Sequence, residues 1–181
     1  MVDKYVEGVA YHEAAHTVVA AVLGLPLRQS GLRMFQNGEG LACYRYKQPD
    51  GSKNVGADLY RESTIIAALA GQIAHSMVYP PAAKDANAWH DQTLVSELLG
   101  EMYPTRAAQV AAHCELYKRS EELVNQQWRA TEAIAKMLWS KPWSQEPPHE
   151  KRVEGEEVVS LLRQFGISAV LDESEGFSRP Q

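Results

Sequence analysis

The chain begins with apolar residues at helical spacing. Val6, Val9, Ala10, Ala14, Val18, Ala21 and Val22 recur every three or four positions, which predicts a helix from Asp3 to Leu23. Asp3 is its candidate N-cap, and Gly24 and Pro26 end it. Almost every position in its C-terminal half is apolar, so the helix is expected in the core. The pattern then changes. Gly31, Gly38, Gly40 and Gly51 punctuate short runs such as Leu32 to Phe35 and Leu41 to Tyr46, predicting two or three short strands. Their turns fall at Gln36-Asn37-Gly38 and Pro49-Asp50-Gly51. Helical period returns from Ala57 to Val78, with Leu59, Ile65, Ile66, Leu69, Ile73 and Met77, and stops at Pro80-Pro81. A loop follows to Asn87. A third helix is predicted from Ala88 to Met102, ahead of Pro104, and a long fourth one from Thr105 to Trp139. Residues 140 to 150 read as a proline-rich loop, and a short helix from Glu156 to Phe165 ends at Gly166. So small a sheet must lean on helices. The expected fold class is mainly α with a small β-sheet (α+β), one domain over residues 1 to 171, and a flexible polar tail from Asp172 to Gln181.

Composition narrows the class. The 181 residues suit one domain, and 45% hydrophobic with 23% charged residues is an ordinary globular balance. A net charge of -5 argues against a nucleic-acid partner. Two cysteines, Cys43 and Cys114, make no disulfide framework and read as reduced thiols of a cytoplasmic protein. The N-terminus lacks the pattern of an export signal. The longest uncharged apolar run, Thr17 to Leu27, is shorter than the roughly 20 residues a membrane span needs. No phosphate-binding Gly-x-x-x-x-Gly-Lys-Ser/Thr loop is present, so no nucleotide motor is expected in the chain. Trp128 and Trp139 are expected in helix packing, Trp143 as a loop anchor, and Trp89 in the core or as a wall of a site. Lys118 to Glu122 reads as a solvated helix face.

Chemistry concentrates in His12-Glu13-Ala14-Ala15-His16, inside the first helix. Residues four apart lie on one helix face, so the two imidazoles can grip one metal ion, with Glu13 placed to act on a metal-bound water as general base. Composition alone would yield this motif in roughly one in fifty chains of this length, so it is informative. A hydrolytic zinc site needs a third protein ligand and an open fourth position. Spacing leaves Glu62, His75, Asp85, His90, Asp91 and Glu97 as candidates.

Several segments, in order, resemble the protease domain of the FtsH family of ATP-dependent zinc metalloproteases. Val9 to Ala20 is similar to that family's "AYHEAGHALVA" helix. Gly40 to Tyr44 matches a strand with a Gly and aromatic pattern, and Ala68 to Ser76 resembles "LLGGRAAEE". Trp89-His90-Asp91-Gln92-Thr93 falls at an "SNDL" segment, and Lys151 to Val158 resembles "ETLDGEEV". The resemblance covers residues 5 to 166 and implies a zincin-like fold with the motif helix packed on a helical bundle. It also implies Zn²⁺ held by His12, His16 and Asp91, with Glu13 as catalytic base and His90 as the competing third ligand. Ala15 stands at a usual Gly, Gln72 at a usual Arg, and His75-Ser76 at an acidic pair. The implied activity is a zinc-dependent endopeptidase acting on unfolded or extended polypeptide, with an edge strand among residues 40 to 46 pairing with the substrate. The family's ATPase module and membrane segments are not in this sequence. The expectation is therefore a free-standing domain, with a separate ATPase or adaptor as partner for folded substrates. The alternative is a non-catalytic, metal-containing peptide-binding or regulatory module.

Overall fold

The computed structural model describes residues 4–44, 55–79 and 88–172. Asp3, the turn at Pro49-Asp50-Gly51, the loop with Asp85 and the tail from 173 onward lie outside the described residues. The protein is mostly helical. In chain order the elements are α1 (Lys4–Val22), β1 (Leu27–Arg28), β2 (Leu32–Phe35), β3 (Gly40–Leu41), α2 (Val55–Val78), α3 (Ala88–Met102), α4 (Arg106–Gln126), α5 (Trp128–Ser140), β4 (Glu150–Val153), α6 (Gly155–Gln164) and β5 (Leu171–Asp172). No helix among the described residues is long and apolar enough to cross a membrane.

Helix α1 forms where the pattern predicts and is buried on nearly all sides from Val9 to Ala21. Its end follows from Gly24, whose φ of 76° suits a residue without Cβ. That turn lets Leu25 N–H reach the Ala20 carbonyl at 2.9 Å and Gly24 N–H the Ala21 carbonyl at 3.0 Å, satisfying two of the helix's last carbonyls. Helix α2 packs along α1. Glycines stand at the contact, Gly8 of α1 against His75 and Gly71 of α2 against His12 and His16, so the two backbones approach closely. One cluster of buried apolar side chains joins these helices to α5, α6 and the inner face of the sheet.

The sheet is antiparallel in the order β3-β2-β4, with Arg33 opposite Leu41 and Arg152. A separate parallel pair joins β1 to β5. Gly38, at φ 86°, turns the chain between β2 and β3. Of the strand expected over Leu41 to Tyr46, residues 45 and 46 lie outside the described residues; in the described part β3 covers Gly40–Leu41, and Tyr44 bridges Leu27 of β1.

Three further expectations need correction. The long helix from Thr105 to Trp139 is two helices, broken at Gln127 (φ -102°, ψ 15°). No Gly or Pro marks the break. It arises because α4 packs on α2 while α5 packs on α1, where Trp128 stacks on Tyr11 with centroids 5.6 Å apart. Strand β4 was hidden inside the proline-rich loop and the approach to the last helix. Its inward positions are Lys151 and Val153, and an inward lysine obscures the alternation. The Lys151 ammonium donates to the Trp139 carbonyl and lies 4.5 Å and 5.2 Å from the ring centroids of Trp139 and Trp143, so its stem is buried and its charge is met. Asp172, expected in the tail, is held in register with Arg28.

The charged stretch on α4 matches expectation in part. Lys118, Arg119, Glu121 and Glu122 are exposed, but Ser120 between them is fully buried and donates to the Ile66 carbonyl at 2.8 Å. Neither cysteine is in a disulfide; Cys43 is buried, its thiol donating to the Arg28 carbonyl at 3.1 Å, and Cys114 is exposed.

Candidate metal centre

Helix α1 carries His12, Glu13 and His16 into the interior, where they are 1%, 4% and 3% exposed. Their spacing sets both imidazoles on one face, and their Nε2 atoms stand 2.9 Å apart. Asp91, in the first turn of α3, closes the group. Its Oδ2 lies 3.0 Å from His12 Nε2 and 3.1 Å from His16 Nε2. Of the candidates for a third ligand among the described residues, the fold brings Asp91 to the histidine pair.

The other candidates are placed elsewhere. His90 and Glu97, on the same helix, are exposed and line the adjoining cleft. His75, buried on α2, packs edge-on to His12 with centroids 6.4 Å apart and stacks on Tyr79. Glu62 hydrogen-bonds Tyr103. Trp89 is neither core nor wall. It is 66% exposed and meets His90 edge-on at 5.3 Å.

The tautomer of His16 follows from its surroundings. Its Nδ1 lies 2.7 Å from the Ala67 carbonyl; a carbonyl only accepts, so the proton sits on Nδ1. In the neutral ring Nε2 then offers a lone pair toward the cluster. Three electron-rich atoms within 3.1 Å of one another require positive charge among them, either protons or a cation. The electrostatics reflect this. Burial opposes ionisation of Asp91, but the charge of His16 and hydrogen bonds from both rings outweigh it and hold the carboxyl well below the usual carboxylate range. Burial likewise opposes the His16 imidazolium, yet the Asp91 carboxylate, aided by Glu13, prevails and raises its pKa.

The same donors suit a metal. His12, His16 and Asp91 each offer one ligand atom and together could hold an ion. Ligands 2.0–2.1 Å from a tetrahedral ion are about 3.3–3.4 Å apart, close to the 2.9–3.1 Å separations here. Two nitrogens and one carboxylate oxygen leave a coordination position for water or substrate.

A cleft of about 530 Å³ opens beside the cluster. Glu13 lines it from α1, Gly40, Leu41 and Ala42 from β3 and the segment after it, and Leu94 from α3. Thr17 ties these parts together. Its hydroxyl donates to the Glu13 carbonyl at 2.9 Å and accepts from the Cys43 N–H at 3.1 Å.

Sequence reasoning missed the residues that shape this site from outside the motif: Thr17, the Ala67 carbonyl, Gly71 and Gly40 as neighbours of the titratable groups. Gly71 carried one signal. Glycine inside a helix costs about 1 kcal/mol relative to alanine, so its presence in Ala68-Leu69-Ala70-Gly71 marks a close approach. No family model matches the chain, and neither does any curated protein.

Proposed function

We propose that the protein is a zinc-dependent endopeptidase that hydrolyses extended or unfolded polypeptide, with a zincin-like arrangement of the kind the FtsH resemblance implies. The observation that carries this reading is the convergence of His12, His16 and Asp91 across 75 to 79 residues of sequence, with the Glu13 carboxylate in the adjoining cleft. Bound by those three side chains, zinc supplies a Lewis acid that polarises a carbonyl and acidifies water. Glu13 takes the proton from the attacking water and delivers it to the leaving amine. The Ala67 carbonyl holds the His16 ring in the tautomer that presents Nε2. Strand β3 is at the edge of its sheet and borders the cleft, which supports docking of an extended substrate by strand addition. A separate unfoldase or adaptor fits this reading for folded substrates, and the cytoplasm is its expected compartment.

The test is metal analysis of protein purified without chelators, followed by cleavage of an unfolded protein such as casein. About one zinc per chain, with hydrolysis lost in Glu13→Gln and zinc retained, is the expected result. Folded protein that takes up no zinc when it is supplied refutes the reading. Unchanged biological activity of Glu13→Gln favours the binding module.

A further inference from the structure

We propose that Gly71 and Gly40 are positioning residues, which keep the space in which the imidazole pair and the Glu13 carboxylate stand. A Cβ built on Gly71 of α2 would lie 2.4 Å from His16 Nε2 and 2.6 Å from His12 Nε2, far inside van der Waals contact with the two nitrogens that face Asp91. Neither ring can easily give way. His16 is fixed at Nδ1 by the Ala67 carbonyl, 2.7 Å away and one helical turn earlier on the same face of α2. His12 is hemmed in by the ring of His16 at 4.5 Å and that of His75 at 6.4 Å. Helix α2 therefore presents a carbonyl to one end of the His16 ring and an empty position to the other. Gly40 does the same for the base. A Cβ there would meet Glu13 Oε1 at 2.3 Å, Cγ at 2.4 Å and Cδ at 2.5 Å, pushing the carboxylate out toward the cleft. Gly40 has no positive φ, and neither does Gly71, so clearance rather than backbone conformation accounts for both. The inference about Gly71 rests on the three donors as a cation site; its stability test stands without any peptidase activity.

The test is a pair of mutant cycles read by unfolding midpoint and zinc affinity. Gly71→Ala is made in the wild-type chain and in the His12→Ala/His16→Ala chain. Gly100→Ala is the control, because nothing lies within 4 Å of a Cβ at Gly100 of α3. The expected result is that Gly71→Ala lowers the midpoint in the wild-type chain and raises it where the imidazoles are gone, since alanine is then simply the better helix former. It also weakens zinc binding at least ten-fold, while Gly100→Ala leaves zinc binding alone. Failure of Gly71→Ala to fold in the wild-type chain, with folding in the histidine-free chain, supports the proposal equally. The same shift in both backgrounds, misfolding in both, or zinc affinity within two-fold of wild type overturns it. Gly40→Ala is run against Glu13→Ala in the same manner. It should lower the midpoint only when Glu13 is present and leave zinc affinity within two-fold; an equal shift in both backgrounds overturns that half. If the wild-type chain binds no zinc, the peptidase reading falls, and the midpoint cycles still decide the clearance.

Discussion

Thr17→Val gives a test of how the site is held together, and its size can be worked out from contacts. The Thr17 side chain is fully buried and its hydroxyl is used twice, donating to the Glu13 carbonyl at 2.9 Å and accepting from the Cys43 N–H at 3.1 Å. Valine matches its shape and removes both bonds. The Glu13 carbonyl keeps its helical partner, so that loss is small. The Cys43 N–H loses this acceptor in a fully buried setting, and removing the acceptor of a buried hydrogen bond costs about 1–3 kcal/mol. Replacing a hydroxyl by a buried methyl returns up to about 0.8 kcal/mol. The expected net loss is about 1–2 kcal/mol, or roughly 2–4 °C of midpoint per kcal/mol in a chain of this size. Denaturant unfolding measures the total, and hydrogen exchange at the Cys43 amide measures its source. Thr17→Ser separates the two terms: it keeps both hydrogen bonds and loses a methyl, so stability falls while the Cys43 amide stays protected. Because Ala42 and Tyr44 flank Cys43 and line the cleft, Thr17→Val should loosen that wall without displacing His12, His16 or Asp91. A valine variant within about 0.5 kcal/mol of wild type, with the Cys43 amide still slow to exchange, would falsify the account.

Asp91→Ala should weaken zinc binding by about 100-fold or more, beyond what losing an outer partner costs, whereas His90→Ala should leave it within a few-fold; equal losses would place the third ligand at neither residue alone. Zinc affinity should fall with falling pH, since the Nε2 atom of each imidazole must be unprotonated to bind. The raised pKa of His16 should bring that fall in at higher pH than for a free imidazole, and zinc titrations across pH 5 to 8 check it. Glu157 offers a test away from the site. It accepts from Lys141 at 2.6 Å and from the Glu154 N–H at 3.1 Å at the start of α6, and these bonds lower its pKa from 4.5. A lowered carboxylate pKa stabilises the fold above the unfolded value, and the gain is lost as pH falls through the folded value. Glu157→Gln should therefore cost about 0.5–1 kcal/mol at pH 7, at the modest end because the side chain is 43% exposed. The difference should vanish in acid below the folded pKa, and a pH-independent difference refutes the assignment.

Strong periodicity made most helices legible. Four of them, α1, α2, α3 and α6, begin and end within two residues of their expected bounds, because Gly24, the Pro80-Pro81 pair, Pro104 and Gly166 punctuate them. The break at Gln127 was not legible, because its cause lies in which helix each half packs against rather than in the residues at the break. Strand β4 was missed because it faces the core through a lysine, whose charge is met by one carbonyl and two indole rings that no local window contains. At the site, the His12–His16 spacing specified one helix face, and this geometry is realised. The third group was ambiguous by physics alone, since six candidates had similar local chemistry. Among the described candidates the fold singles out Asp91 by bringing the start of α3 to the histidines of α1, and that is information about helix packing.

The site also bears on how α3 is held. Helix α1 places two imidazoles and a carboxylate in positions a core helix would fill with apolar side chains, a costly arrangement unless each polar group is met. Part of the compensation comes from the main chain of α2, through the Ala67 carbonyl. Another part comes from Asp91, whose contacts with both histidines link the first turn of α3 to α1. His90, Thr93, Leu94 and Glu97 of that helix form one side of the cleft. Positive charge among the three donors, whether protons or a metal ion, therefore does two things at once. It neutralises a buried cluster that would otherwise repel itself, and it fixes the helix that forms one wall of the cleft. Removing that charge should first loosen the start of α3, leaving α1 and α2 intact, because those two are held by their own apolar faces.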